Sequence, residues 1–275
     1  MTNEQLFDHI VRKRSFLCVG LDTDVRKLPA CLSSHPDAMF EFNRRIVDAT
    51  APYAVCYKPN LAFYEEHGAA GLDCFERTCR YIREHYPDQF IIADAKRGDI
   101  GNTSAMYARA FFEQGTVDAV TLSPYMGRDT VAPFLAYEGR WAVILALTSN
   151  ASAADFETLT LSDGRMLYER VLETASGWGT ERNTMFVVGA TQARELERVR
   201  RIVPGHFLLV PGVGAQGGSL SEVARCGMND RCGLLVNSSR GIIYADSSER
   251  FAEAAAEAAA RVAAEMDALL SARGL

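Results

Sequence analysis

The sequence predicts an α/β fold in which eight parallel strands, each followed by a helix, close into a (β/α)8 barrel. Two observations indicate this fold. Short apolar runs alternate with helical patterns eight times within 275 residues, and polar side chains collect at or just after the carboxyl ends of those runs. A doubly wound sheet would also carry its chemistry at strand ends, but no Gly-x-Gly-x-x-Gly follows the first run, which disfavours a dinucleotide-binding fold. No linker interrupts the pattern, so we expect one barrel domain over residues 1–275.

Each predicted strand is a short apolar run bounded by turn-forming residues. The first ends in an acid, Asp22, and the second ends in Lys58. The third begins at Phe90 and is broken by Gly98. The predicted strands span residues 16–22, 54–58, 90–97, 117–122, 141–147, 185–188, 207–210 and 234–236.

The helices are predicted from apolar residues that recur at helical spacing. Thr2 and Gln5 are typical of a capping box at the start of a first helix. Gly115 is expected to stop the helix that follows the third strand. The segment 151–182 is too long for a single connection, and we expect it to be an excursion with its own helix. Besides a charged helix after the sixth strand, helices are expected near residues 40–48, 72–82, 103–114 and 248–270.

Composition excludes several classes of function. The formal net charge is −6 and no basic patch is present, so nucleic acid is not an expected partner. No apolar run is long enough to span a bilayer, and the polar N-terminus lacks the order of a signal peptide. The seven Cys residues form no Cys-x-x-Cys pair, and the five His residues are scattered. We therefore expect a reduced, cytoplasmic protein without a disulfide framework or a metal site.

The candidate chemistry centres on residues 93–99, Ala-Asp-Ala-Lys-Arg-Gly-Asp, at the end of the third strand. Side chains alternate along a strand, so Asp94 and Lys96 should point the same way, roughly 6–7 Å apart along the chain. Asp99 falls in the next turn or at the start of the next helix. A structural ion pair is the simpler interpretation, but burying these charges is costly without a purpose. Further polar residues at strand ends favour a shared site, which in such barrels lies on that face: Asp22, Lys58, Ser149, Gln216 and Arg240.

On these residues the sequence resembles the orotidine 5′-phosphate decarboxylase family, over nearly the whole barrel. The strongest match is the segment 94–103, which contains the family's Asp-x-Lys-x-x-Asp motif. The segments 58–65 and 151–182 resemble the longer bacterial subgroup, and the family implies a TIM barrel of the ribulose-phosphate-binding kind. Four further motifs match in order at strand ends: Gly20-Leu21-Asp22, Lys58-Pro59-Asn60, Pro211-Gly212-Val213-Gly214 and Ser239-Arg240-Gly241.

The resemblance implies a cofactor-free reaction in de novo pyrimidine biosynthesis, in which orotidine 5′-monophosphate loses CO2 from C6 to give uridine 5′-monophosphate. Lys96 would stabilise the developing carbanion and donate the proton. Asp94 would lie against the departing carboxylate, where like charges oppose each other. Lys58 and Asp99 would complete an alternating array of charges that keeps Lys96 oriented and protonated.

The resemblance also implies substrate contacts and a partner. A homodimer is expected, in which Asp99, Ile100 and Thr103 reach into the site of the neighbouring subunit. Ribose hydroxyls are assigned to Asp22 and Lys58, with Thr103 from the partner, and the pyrimidine edge to Ser149, for which Thr148 is an alternative. The phosphate is expected at Pro211, Gln216, Ser239 and Arg240, between the loop after strand seven and the helix after strand eight. The glycines of that loop also fit an ordinary turn.

Two other functions compete with this one. The hexulose-phosphate synthase and keto-gulonate-phosphate decarboxylase group shares the Asp-x-Lys-x-x-Asp motif but uses magnesium and an acid at the end of strand two. Lys58 occupies that position here, and an ammonium group repels a metal ion. The second alternative is an inactive barrel that only binds its ligand, but no member of the charge array is missing from the sequence.

Overall fold

Eight parallel strands form a closed barrel in the computed structural model, which describes residues 1–113, 115–213 and 217–275, without the side chains of residues 192 and 193. The strands are β1 (Leu17–Leu21), β2 (Cys56–Pro59), β3 (Phe90–Arg97), β4 (Ala119–Leu122), β5 (Trp141–Leu147), β6 (Thr184–Val188), β7 (Phe207–Pro211) and β8 (Leu234–Ser238). Each pairs in parallel with the next, and β8 pairs with β1 to close the ring. The predicted (β/α)8 barrel is therefore confirmed.

Helices connect the strands and cover the barrel. The strands are almost wholly apolar because both of their faces are buried, whereas each helix buries one face against them. In the part of the chain that the structure describes, no helix combines the length and the apolar character needed to cross a membrane. The α-helices are α1 (Asn3–Lys13), α2 (Ala38–Thr50), α3 (Ala62–Glu65), α4 (Gly68–His85), α5 (Gly101–Phe112), α6 (Arg128–Leu135), α7 (Leu167–Ser176), α8 (Leu196–Ile202), α9 (Leu220–Gly227), α10 (Arg240–Ile243) and α11 (Phe251–Ala272).

Most predicted elements agree with the structure to within a few residues. The capping box of Thr2 and Gln5 is present at the start of α1, and the 151–182 excursion contains α7 as its own helix. The helix after β3, α5, ends at Phe112, a few residues before the predicted stop at Gly115. Gly115 instead packs under the last turn, where an added Cβ would lie 2.4 Å from the Phe111 carbonyl oxygen. The predicted end at position 114 lies outside the described residues.

An aromatic layer fills the amino-terminal end of the barrel. Phe90, Trp141 and Phe207 are the first residues of β3, β5 and β7, and all three are buried. The Trp141 ring meets Phe90 edge to face at 5.8 Å between centroids, and it meets Phe207 at 6.3 Å. Alternate strands of such a barrel supply one interior layer, and edge-to-face contacts are favourable. This end is therefore closed by apolar packing, and the polar side chains collect at the carboxyl ends of the strands.

Candidate active site

The end of β3 departs from regular strand geometry. Its pairing with β4 shifts between Ala93 and Arg97, and Lys96 adopts a left-handed backbone conformation with φ of 45°. Nevertheless Lys96 Nζ lies 2.6 Å from Asp94 Oδ1. The two side chains share a site as expected, but an irregularity in the strand brings them together rather than simple alternation.

Asp94 is bound by two ammonium groups. Lys58 Nζ, at the end of β2, lies 2.7 Å from Asp94 Oδ2, and Lys96 Nζ contacts the other carboxylate oxygen, Oδ1. Lys58 and Asp94 are buried, whereas half of the Lys96 side chain is exposed. Burial disfavours the charged forms of Lys58 and Asp94, but the attraction between their opposite charges outweighs this cost. The two lysines hold the pKa of Asp94 well below its usual range, and Asp94 together with Asp22 raises the pKa of Lys58.

Thr121 in β4 belongs to this cluster, although the sequence did not single it out. The Thr121 hydroxyl donates a hydrogen bond to Asp94 Oδ1 at 2.9 Å, and the Thr121 hydroxyl oxygen accepts one from the Lys96 backbone N–H, also at 2.9 Å. Thr121 is only 1% exposed. The available signal was a single polar residue within an otherwise apolar strand, Ala119–Leu122.

A cleft of about 240 Å³ opens above these charges at the carboxyl ends of the strands. Several residues predicted for the site line it: Asp22, Lys58, Asp94, Lys96, Pro211, Ser239 and Arg240. Asn60 and Asn237 also line it without having been proposed as site residues. The amide of Asn237 donates to the Ser239 hydroxyl at 3.3 Å, and Asp22 Oδ1 is buried with no hydrogen-bond partner among the described residues. The cleft therefore combines a buried charge cluster with accessible polar groups.

Arg240 lines the cleft as the first residue of α10. Its side chain is exposed. Among residues 1–113, 115–213 and 217–275, no carboxylate lies within ion-pair distance of its guanidinium group. Gln216, the predicted companion of Arg240, lies outside the described residues, as does Gly214.

Asp99, Ile100 and Thr103 are not among the residues that line this cleft. Asp99 accepts a hydrogen bond from the Ile100 backbone N–H at 2.7 Å. The Ile100 side chain is 53% exposed, and Thr103 is exposed in the first turn of α5. One chain thus brings Lys58, Asp94 and Lys96 together but leaves the fourth predicted charge, Asp99, partly exposed outside the cleft.

Thr148 and Ser149, the two candidates for the pyrimidine contact, differ in their surroundings. The Thr148 hydroxyl lies 2.9 Å from Glu157 Oε1, and its backbone N–H donates to Glu157 Oε2 at 2.6 Å. Thr148 also lines a separate, largely apolar hollow of about 460 Å³. The Ser149 carbonyl oxygen accepts from the Thr191 hydroxyl at 3.5 Å. Neither residue lines the cleft itself.

The chain is similar to known proteins over nearly its whole length. Residues 15–255 match the family described as "Orotidine 5'-phosphate decarboxylase / HUMPS family". A Phocaeicola vulgatus protein named orotidine 5'-phosphate decarboxylase is 58% identical over 270 residues, which cover 98% of this chain and 99% of that protein. A Porphyromonas gingivalis protein of the same name is 59% identical over the full length of both chains. A solved Leishmania donovani OMP decarboxylase has a TM-score of 0.83 at 35% identity, covering 98% of this chain and 99% of that one.

Proposed function

The chain belongs to the orotidine 5′-phosphate decarboxylase / HUMPS family, and on that premise we propose that the Lys58–Asp94–Lys96 cluster decarboxylates orotidine 5′-monophosphate to uridine 5′-monophosphate. The family resemblance expected from five sequence motifs is thereby confirmed. The chain is a carboxy-lyase, like its full-length relatives. The observation that carries the assignment of residues is one buried carboxylate held between two ammonium groups in an open cleft.

Lys96 is the proton donor in this proposal. When the bond between C6 and the carboxylate breaks, CO2 leaves and the electron pair stays on C6 of the pyrimidine. An ammonium group close to C6 stabilises that charge and transfers a proton to carbon. The resulting neutral amine regains its proton from solvent, which is accessible because half of the Lys96 side chain is exposed. No electron acceptor enters this step, so the mechanism requires no cofactor.

Asp94 and Lys58 set the charge around the reacting carbon. The depressed pKa keeps Asp94 ionised at neutral pH, so a substrate carboxylate placed beside it experiences repulsion that CO2 release removes. Lys58 is buried and its pKa is raised, so its ammonium group stays charged at neutral pH. Together they fix Lys96, whose ammonium group would otherwise be free to move.

The remaining cleft residues suit the rest of the substrate. We assign the ribose hydroxyls to Asp22 and Lys58. The support is that both line the cleft and that Asp22 Oδ1 is buried without a hydrogen-bond partner among the described residues. Arg240, Ser239 and Pro211 line the part of the cleft assigned to the phosphate, and Gln216 completes that assignment. For the pyrimidine edge we keep Ser149, with Thr148 as the alternative; the Thr148 hydroxyl lies within hydrogen-bond distance of acceptors on Asn150 and Glu157.

We assign the fourth charge, Asp99, to the cleft of a second copy in a homodimer, together with Ile100 and Thr103. The support is that Asp99 lies outside its own cleft beside the exposed Ile100. Co-expression of Lys96→Ala and Asp99→Ala chains with different tags tests this. The purified heterodimer has one site with both residues intact and should show about half of wild-type activity. A heterodimer of Lys96→Ala and Lys58→Ala chains is the matched control, since neither of its sites is intact. No recovery in the first pair contradicts the assignment.

A magnesium-dependent sugar-phosphate reaction is the alternative that the shared motif raised, and neither it nor an inactive binding barrel is supported by the named relatives. Both Asp94 oxygens are already engaged by ammonium groups, so a divalent cation there would meet two positive charges at close range. Within the described residues, no group of three or more His, Cys, Asp or Glu side chains is arranged to hold a metal.

The test is the loss of orotate absorbance when purified protein is mixed with orotidine 5′-monophosphate. We expect turnover by the wild type with and without excess chelator. Lys96→Ala should fold normally and lose nearly all turnover, because the proton donor and the counter-charge are removed together. A variant that keeps more than about a tenth of the wild-type rate, a barrier change below about 1.4 kcal/mol, would contradict the role of Lys96. Activity that disappears with chelator and returns with magnesium would favour the alternative.

A further inference from the structure

The conformation of Lys96 needs an explanation that the reaction alone does not give. A residue with a Cβ atom seldom adopts positive φ, because that conformation is sterically unfavourable. Lys96 nevertheless has φ of 45°, within β3 and at the point where its pairing with β4 shifts. Strained conformations of this kind persist only where surrounding contacts hold them.

The hydroxyl of Thr121 provides such a contact. A hydroxyl has one hydrogen to donate and two lone pairs. Asp94 can only accept, so the Thr121 hydrogen points to Asp94 Oδ1 over 2.9 Å. A lone pair of the same oxygen then accepts the Lys96 backbone N–H, also over 2.9 Å. Since Lys96 Nζ returns to Asp94 Oδ1 at 2.6 Å, the three residues form a closed hydrogen-bonded ring.

We propose that Thr121 is a positioning residue for the decarboxylation, a role that rests on the proposed function of Asp94 and Lys96. Thr121 does not touch substrate in this proposal, and it is not a residue of the cleft lining. It fixes the backbone of Lys96 in the left-handed conformation and orients the carboxylate that receives the ammonium group. This role accounts for a buried polar side chain, 1% exposed, between the apolar residues Val120 and Leu122.

The proposal separates the effect of the hydroxyl from that of the side-chain volume. Thr121→Val keeps the branched shape but leaves the Lys96 N–H without an acceptor and Asp94 without one of its donors. Thr121→Ser keeps both hydrogen bonds and loses only a methyl group. Thr130 is a matched control, because it is also fully buried and its hydroxyl has no hydrogen-bond partner among the described residues. Thr130→Val therefore removes a buried hydroxyl that makes no hydrogen bond to the described residues.

The experiment measures kcat and KM for orotidine 5′-monophosphate, the affinity for uridine 5′-monophosphate and the melting temperature of the four proteins. For Thr121→Val we expect kcat to fall by about 10- to 100-fold, while KM and product affinity change by less than about threefold. Thr121→Ser should restore kcat to within about threefold of the wild type, and Thr130→Val should leave kcat unchanged.

Three results would overturn the inference: a wild-type kcat in Thr121→Val, an equal loss of kcat in the Ser and Val variants, or an equal loss in Thr130→Val. A variant that only melts earlier, with kcat unchanged per folded molecule, would likewise show a purely structural role. Failure of the proposed function is distinguishable, because then the wild type itself would not decarboxylate orotidine 5′-monophosphate.

Discussion

Removing the guanidinium group of Arg240 tests how the cleft recognises the phosphate. Arg240 begins α10 at the edge of the cleft, is exposed, and has no carboxylate partner among the described residues. A guanidinium group held ready without an internal counter-charge suits a bidentate contact with a phosphate. Arg240→Ala should therefore remove binding energy for the phosphorylated substrate while removing no contact that stabilises the fold.

The size of the effect follows from the two hydrogen bonds and the exposure of the group. A hydrogen bond to a charged partner contributes about 1.5–3 kcal/mol, so a two-pronged contact contributes about 3–6 kcal/mol. Solvent screening at an exposed site favours the lower end. We therefore expect kcat/KM for orotidine 5′-monophosphate to fall by about 100-fold or more, since about 1.4 kcal/mol corresponds to a factor of ten. The kcat/KM of Arg240→Lys should lie between those of the wild type and Arg240→Ala, because an ammonium group is a single point charge.

The assay compares orotidine 5′-monophosphate with orotidine, the nucleoside that lacks the phosphate. The already slow reaction of orotidine should hardly change in Arg240→Ala, because the lost contact belongs to the phosphate. Arg128→Ala is a matched control, since Arg128 is an exposed arginine that begins another helix, α6. Equal losses on both substrates, accompanied by an earlier melting transition, would refute the phosphate role and make Arg240 a structural residue.

Three other predictions follow from the packing. Gly20→Ala would place a Cβ atom 1.8 Å from the Ser239 hydroxyl oxygen, so it should displace the cleft wall and raise KM at least about tenfold in steady-state kinetics. Gly177→Ala is the control, because its Cβ would make an ordinary contact at 3.5 Å. Arg200 is partly buried and donates to four backbone carbonyls, and loss of hydration lowers its pKa to about 10. Arg200→Met should lower the free energy of unfolding by about 2–4 kcal/mol in denaturant titrations, because those carbonyls lose their donors. Burial and neighbouring cations lower the pKa of His9 to about 4. Between pH 6.5 and pH 4 the unfolded chain therefore binds more protons than the folded chain, so the free energy of unfolding should fall as the pH falls through that window. His9→Gln should flatten this pH dependence of the free energy of unfolding, and an unchanged slope would contradict the prediction.

The strand-end residues of the site could be predicted because barrel topology does most of the placement. Lys58, Asp94 and Arg240 lie far apart in the sequence, but each follows a short apolar run that forms a parallel strand. In a closed parallel barrel the carboxyl ends of all strands meet at one face, so chain order alone indicates that these side chains are neighbours. The hydrogen-bond distances within the cluster were not predictable in this way, because they depend on where each strand ends by a residue or two.

The local geometry around Lys96 was not predictable from the pattern. Alternation along a regular strand places Asp94 and Lys96 on one side. The two side chains are in contact as that predicts, but β3 is irregular between them rather than a regular strand. The left-handed backbone of Lys96 is stabilised by Thr121, which lies 25 residues later in the chain. Nothing in the residues around Lys96 specifies this conformation, since it results from the packing of two neighbouring strands.

Asp99 shows the limit of arguments made within one chain. It follows Lys96 by three residues, so proximity in sequence suggests that both charges share one cleft. The strand, however, ends at Arg97, and Asp99 caps the N–H of the neighbouring Ile100 at the surface instead. Asp99 therefore accepts a hydrogen bond in the turn before α5 and does not line the cleft of its own chain. In the proposed homodimer the second copy receives Asp99 instead, and interface backbones commonly move little on association. The heterodimer experiment therefore tests whether the turn that removes Asp99 from its own cleft delivers it to that of a partner.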